Sequence, residues 1–272
     1  MAYKTILVQV DDSDACVPRL RTANQLAVRF NAHLIGLYVR RGLKIPTSSE
    51  VLDGTGLLEA QKAESKHLED KAHSVFVDVM TSSTGPVIEW RAEDGIADEV
   101  FRLHGAYVDL LILGVHRQRP KTFQVSDEVL IGAGRPALLI PEHYAGRPIG
   151  HNVLVAWSAN REAARAVNDA LPLLSSAERV TIISCNTDSK DQSESPTNLR
   201  THLSRHDISS TEIEVACSQS DIGASLLDKT QELDIDLLVM GAYGHTRLRE
   251  VVWGGTTDYV LAHMPVPVLM SH

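Results

Sequence analysis

A chain of 272 residues is long enough for one large domain or two of ordinary size, and either can bury a sizeable core. Its 43% apolar and 22% charged residues are those of a globular protein, and a formal net charge of -9 argues against a broad nucleic-acid footprint or docking on an anionic membrane, leaving room only for a local basic patch. The three cysteines, Cys16, Cys185 and Cys217, are odd in number, widely separated and without zinc-site spacing, so neither a disulfide framework nor a structural metal is expected.

Met1-Ala-Tyr-Lys-Thr-Ile-Leu-Val-Gln-Val10 enters a strand at once, with no charged leader or apolar signal core, and no apolar run is long enough to span a bilayer. A cytoplasmic location is therefore expected. The first strand, Thr5-Ile-Leu-Val-Gln-Val-Asp11, ends in Asp11 and Asp12. A carboxylate here could hold a ribose or Mg2+, but Asp11-Asp-Ser-Asp14 also reads as a turn or helix cap, with Asp14 capping. A helical pattern from Val17 to Asn31 leads to a strand His33-Leu-Ile-Gly-Leu-Tyr-Val39, a long polar helix from Gly56 to Phe76, and a strand Pro86-Val-Ile-Glu-Trp90. A further helix precedes the strand Asp109-Leu-Leu-Ile-Leu-Gly114, followed by Val115-His-Arg-Gln-Arg-Pro-Lys121 and a proline-led strand, Arg135-Pro-Ala-Leu-Leu-Ile140.

Prolines and glycines cluster in Pro141-Glu-His-Tyr-Ala-Gly-Arg-Pro-Ile-Gly150, and the pattern then begins again. Asn152-Val-Leu-Val-Ala-Trp-Ser158 matches the first strand, the helix Glu162 to Leu174 the first helix, and Arg179-Val-Thr-Ile-Ile-Ser184 the second strand. A low-hydrophobicity segment, Thr187 to Pro196, is expected to be mobile and leads into a shorter helix. Ser210-Thr-Glu-Ile-Glu-Val215, a helix, Asp236-Leu-Leu-Val-Met-Gly241 and Val266-Pro-Val-Leu-Met270 complete the repeat. Strands that are near-continuous apolar runs alternating with helices specify parallel sheets covered on both faces. The expected organisation is an α/β chain of two tandem Rossmann-like domains, residues 1–146 and 147–272, with the boundary near Gly146. The two closing strands, Ala137 to Ile140 and Val266 to Met270, are expected to pair and so hide each other's edges.

The chemistry concentrates in one loop. Gly241-Ala-Tyr-Gly244 continues through His245 to Trp253 into Gly254-Gly255-Thr256-Thr257, and a helix, Asp258 to His263, follows. Strand, glycine-rich loop and helix N-terminus in this order suit an anion: glycines let the backbone approach phosphate oxygens, amides donate to them, and the helix dipole favours negative charge. The same glycines also serve a plain strand-to-helix connection. Arg247 and Arg249 could reach a phosphate or stand as bystanders on a solvated loop. In the N-terminal half Gly114 is present, but the second loop glycine is Arg117 and the later glycines and threonines are Gln124-Val-Ser-Asp127, so that half is not expected to hold a triphosphate. The 12 histidines are scattered; His104, His116 and His245 lie near strand ends or loops, without metal-site spacing. Cys185 ends a strand near this mouth and reads either as a redox-sensitive thiol or as a small buried apolar residue.

The pattern Gly-x2-Gly-x9-Gly, opening after Val-Met-Gly241 and closing with Pro-Val-Pro-Val-Leu269, resembles the universal stress protein family over almost the whole chain, as two tandem copies. The resemblance implies, in each domain, an open five-stranded parallel sheet of order 3-2-1-4-5 with helices on both faces, an adenine-nucleotide site, and pairing of the domains as a pseudo-dimer, with a homodimer also open. It puts phosphate contacts on Gly241, Gly244, Gly254, Gly255, Thr256 and Thr257, with Met240 at the strand end and Ala156, Trp157 and Ser158 near the adenosine. Two departures stand out. The family's usual first-strand aspartate is Ser158, so Mg2+ is expected to be held through the phosphates; and the Ser/Thr after the third glycine is Gly255, whose lost hydroxyl Thr256 or Thr257 could replace.

The leading expectation is a stress-response protein whose C-terminal domain binds ATP or a related adenine nucleotide. His245 and Glu250 are the only bases near the loop, neither with an orienting partner in sequence, so binding is expected over turnover, with at most slow ATP hydrolysis. A different class is a nucleotide-independent scaffold that recognises a protein or apolar ligand through the N-terminal mouth and the Gly56 to Phe76 helix. An adenylating enzyme would need a second acceptor site that the sequence does not display.

Overall fold

The computed structural model describes residues 2–40, 54–81, 85–115, 127–186, 196–244 and 255–272. The N-terminal half runs β1 (Thr5–Val10), α1 (Cys16–Phe30), β2 (His33–Arg40), α2 (Gly54–Thr81), β3 (Ile88–Asp94), α3 (Ala97–Gly105), β4 (Leu110–Val115), α4 (Asp127–Gly132) and β5 (Ala137–Pro141). The C-terminal half repeats it as β6 (Asn152–Trp157), α5 (Arg161–Leu174), β7 (Arg179–Asn186), α6 (Pro196–Ser204), β8 (Thr211–Ala216), α7 (Ile222–Glu232), β9 (Leu237–Gly241), α8 (Thr256–His263) and β10 (Val268–Ser271). Among the described residues no helix is long and apolar enough to cross a membrane.

Each half is a parallel sheet of order 3-2-1-4-5, and the two join into a single sheet, β3-β2-β1-β4-β5-β10-β9-β6-β7-β8. The join is the antiparallel pairing of the closing strands, with Val268 opposite Leu139 and Leu269 opposite Leu138. Every other pairing is parallel. Helices cover both faces, which is why the inner strands are apolar at consecutive positions: β4 and β5 are buried along almost their whole length.

The apolar cores follow the faces of the sheet, not the halves. One gathers Ile6, Leu20 and Leu110 with Val155, Leu173 and Leu269, and the other gathers Leu111 and Leu139 with Leu238, Val260 and Met270. Polar contacts cross the seam as well. The Tyr3 hydroxyl donates to the Asp169 carbonyl at 2.6 Å, Arg29 Nη1 donates to the Ile149 carbonyl at 3.0 Å, and Arg165 Nη2 donates to the Gly134 carbonyl at 2.6 Å.

The repeat extends to a shared anchor. Asp109, just before β4, accepts the amides of Lys4 and Thr5 at 2.7 and 2.9 Å, tying β4 to the start of β1. Asp236, just before β9, accepts the amides of Gly150 at 2.6 Å and Asn152 at 2.9 Å, tying β9 to the start of β6. An aspartate at this point satisfies amides that precede the ladder, and it sets the register of the strand pair that carries the mouth.

Candidate functional site

In each half the chain leaves the first strand towards one side of the sheet and later returns on the other, so the strand order reverses between first and fourth strands. Ligands of open α/β sheets bind beyond the carboxyl ends of the strands at such a point. In the C-terminal half it lies between β6 and β9, where Ala156, Trp157 and Ser158 end one strand and Met240 and Gly241 the other; Ala156, Trp157, Ser158 and Gly241 are all partly exposed.

The loop after β9 sits against the start of α5. A side chain at Gly241 would place its Cβ 2.6 Å from the Ala163 backbone nitrogen, and one at Gly244 would place it 2.7 Å from Asn160 Nδ2 and 3.3 Å from Glu162 Oε2. Both glycines are therefore demanded by close approach, to backbone at 241 and to side chains at 244. Asn160 is itself the N-cap of α5, its Oδ1 accepting the Ala163 amide at 2.8 Å.

Tyr243, between the glycines, is held in the left-handed region at φ 54°. Its amide donates to Thr257 Oγ1 at 3.2 Å and its hydroxyl to Asp258 Oδ1 at 3.3 Å, which pins the loop to the start of α8. The Ala242 amide donates to the Ser271 carbonyl at 2.8 Å, and the Ala242 carbonyl lies 2.9 Å from His272 Nδ1. Loop, two helix starts and the chain's last residues thus meet in one place.

This arrangement faces the N-termini of two helices towards one glycine loop, and helix N-termini carry partial positive charge. Thr257 is buried and already accepts from Tyr243, so Thr256, partly exposed, is the hydroxyl at the mouth's surface; Gly255 caps α8 without a side-chain bond. One acidic group intrudes. The buried Glu162 carboxylate is paired with the exposed Arg161 guanidinium, through Nε at 2.9 Å and Nη2 at 2.8 Å. Arg161 thus screens the Glu162 charge beside the loop. No group of histidine, cysteine and carboxylate side chains among the described residues could hold a metal ion.

Of the residues anticipated from sequence, Ala156, Trp157, Ser158, Met240, Gly241, Gly244, Gly255, Thr256 and Thr257 gather around this mouth, whereas Gly254, His245, Arg247, Arg249 and Glu250 lie outside the described residues. Asn160, Glu162 and Tyr243 were not anticipated. Asn160 had a signal, an asparagine just before a helical pattern; the other two are placed by contacts between distant segments.

The N-terminal mouth, between β1 and β4, is filled by its own side chains. Gln9, on β1, reaches across so that its Oε1 accepts the Gly114 amide at 2.9 Å. Arg19, on α1 and fully buried, donates through Nε to the Gln9 carbonyl at 2.8 Å and through Nη2 to Asp11 Oδ2 at 2.8 Å. Asp11 also accepts the Ser13 amide at 2.9 Å and the Ser13 hydroxyl. The turn reading of Asp11-Asp-Ser-Asp14 holds for Asp11, but Asp14 does not cap. The helix begins at Cys16 with Ala15 at the cap and no side-chain bond, because Asp11 has already closed the turn and the Cys16 amide returns to the Ser13 carbonyl at 3.0 Å. His104 stands at the far edge of the sheet, 3.2 Å from Arg91 Nη1 and 3.6 Å from Glu93, and His116 and Arg117 lie outside the described residues.

The repeated fold is shared with known proteins. The full-length fold is similar to a universal stress protein from Archaeoglobus fulgidus DSM 4304, 16% identical, with a TM-score of 0.73, covering 98% of this chain and 95% of that one. It is similar also to a functionally unknown protein from Pseudomonas aeruginosa PAO1, 18% identical, with a TM-score of 0.60, covering 99% and 92%. Identities this low speak to fold alone. Among curated proteins, the universal stress protein Slr1230 of Synechocystis is 57% identical over 35 residues, which span 13% of this chain and 12% of that protein's length. The model of the universal stress protein family matches residues 2–140 and again 150–272, almost the same two segments that repeat in the sequence and in the sheet, and the chain belongs to that family.

Proposed function

We propose that the C-terminal mouth binds ATP or a related adenine nucleotide and that the protein acts by binding, with turnover slow or absent. One observation carries the reading: at the crevice between β6 and β9 a glycine loop meets the starts of two helices, while its counterpart in the N-terminal half is filled by Gln9, Arg19 and Asp11. The phosphates would lie along Gly241 to Gly244 and the start of α8, with Arg161 between them and Glu162. Ala156, Trp157 and Ser158 would face the adenosine. Mg2+ would be held mainly by the phosphates, since Ser158 offers no charge. The unit would work as two tandem domains, 1–146 and 147–272, in the cytoplasm.

The test imports the plug of one mouth into the other. Ala156 occupies the position in β6 that Gln9 occupies in β1, and Ala156→Gln would set a carboxamide against Gly241. In titrations of full-length protein with ATP, the substitution should weaken binding by about tenfold or more, equal to about 1.4 kcal/mol. Chelating Mg2+ should cost the wild type little. Wild-type protein that binds no adenine nucleotide would overturn the reading.

A further inference from the structure

We propose that Cys185 and Cys217 form a dithiol that a hydroperoxide converts to a reversible intramolecular disulfide. The two residues are far apart in sequence, which hides the relation. In the sheet, Cys185 of β7 lies opposite Val215 of β8, and Cys217 follows two residues later. Side chains two apart on a strand share a face, so Cys217 stands diagonally across from Cys185 on the same side. The two thiols are close enough for each to influence the other's protonation.

Access and freedom fit the chemistry. Both thiols are partly exposed, whereas Cys16 is buried in the other half. Cys217 lies just past the last paired position of β8, Ala216 opposite Asn186, on the outermost strand, so its backbone can give the small displacement that a sulfur–sulfur bond requires. Burial, and then the neighbouring thiol, push Cys185 up to about 12, so at neutral pH it stays protonated. Cys217, past the end of the ladder on the outermost strand, is the residue free to turn towards a peroxide and is the attacking one, with Cys185 the resolving one.

The step balances. Cys217, as thiolate, attacks the terminal oxygen of the hydroperoxide; the O–O bond breaks, an alcohol (water, for hydrogen peroxide) leaves, and Cys217 becomes a sulfenic acid. The Cys185 sulfur then attacks the Cys217 sulfur, forming the S–S bond and expelling the hydroxyl, which departs as water with the Cys185 proton. Two thiols are oxidised and one peroxide is reduced. The odd number of cysteines excludes a paired framework for the whole chain, but it leaves room for this one couple and a spectator. The proposal is independent of nucleotide binding.

The experiment treats full-length protein with hydrogen peroxide and maps the products by mass spectrometry without reductant. The expected result is one species lighter by two hydrogens, with a peptide linking Cys185 to Cys217, both thiols protected from alkylation, Cys16 unchanged, and full reversal by dithiothreitol. In Cys185→Ser the link should vanish and a sulfenic acid accumulate at Cys217, trappable by a carbon nucleophile; in Cys217→Ser the reaction should slow at least tenfold. Wild-type protein that yields only sulfinic acid at Cys217, or only disulfides between molecules, would overturn the proposal.

Discussion

The two mouths of this molecule are built on the same strands and helices and differ in a few side chains. In the N-terminal half, Gln9 satisfies the Gly114 amide and Arg19 braces Gln9 and Asp11 from below. In the C-terminal half the matching residues are Ala156, Ser158 and, eight residues beyond Ser158 as Arg19 is beyond Asp11, the fully buried Ala166. Replacing a glutamine, an aspartate and an arginine by two alanines and a serine removes side chains that fill the crevice. The comparison teaches that a repeated fold can keep its architecture while one copy bridges the crevice at its switch point with polar side chains.

The largest blow to this picture should come from Arg19→Ala, which copies the C-terminal solution into the N-terminal half. Removing Arg19 takes the cation from Asp11, which keeps only its neutral Ser13 donors among the bonds described above, and a loss of about 3 kcal/mol is expected in urea unfolding. A loss below about 1 kcal/mol would mean the pair is well solvated and the mouth is not plugged by it. Gly241→Ala comes next. The new methyl would meet the Ala163 backbone, which cannot swing aside, so a cost of about 2 kcal/mol from overpacking is expected together with weakened ATP binding. Gly244→Ala presses on the Asn160 side chain instead and should cost about 1 kcal/mol, near the value of a lost N-cap. Equal melting temperatures for the two variants would show that the loop's approach to α5 is not as described.

Gln9→Ala should have the smallest effect. It leaves the buried Gly114 amide without its partner, at about 1 kcal/mol. Arg19 and Asp11 remain in place, so the N-terminal mouth should still bind no ATP in calorimetry of full-length protein; a second equivalent of bound nucleotide would show that Gln9 alone closes that site.

Much of this could be read in the chain. The inner strands are continuous apolar runs, and covered parallel strands are such runs, so their positions agree with the sequence reading to within a few residues. The third strand of the N-terminal half is the exception, expected over Pro86 to Trp90 and observed as Ile88–Asp94. It is an outermost strand whose residues are only partly covered, so the apolar signal that marks the inner strands fades along it. The long polar helix also runs further than Gly56 to Phe76, to Gly54–Thr81, and at its C-terminal end Met80 continues the buried row of Ala72 and Phe76 at a spacing of four residues.

The site was legible in its glycines but not in their reasons. Flexibility for phosphate approach is a local argument; the contact of Gly241 with the Ala163 backbone joins segments that only the fold brings together. Degeneracy of the N-terminal mouth was inferred from Arg117 and Asp127 in the loop. The filling groups described above come instead from β1 and α1, where Gln9 looks like any strand residue and Arg19 like a surface helix residue until the sheet is assembled.

What the sequence determined by itself is local and periodic: alternating strand and helix, their repetition, the aspartates that precede β4 and β9, and a glycine loop before a helix. These follow from backbone preference and from which residues can be buried on which face. The tertiary structure decided the antiparallel register in which β5 and β10 join the two halves into one sheet, that each core spans both, that Gln9, Arg19 and Asp11 are hydrogen-bonded across the N-terminal crevice, and that Cys185 stands diagonally across from Cys217. Those outcomes depend on register and on close approach between residues distant in the chain, where a displacement of one strand position changes which side chains share a face.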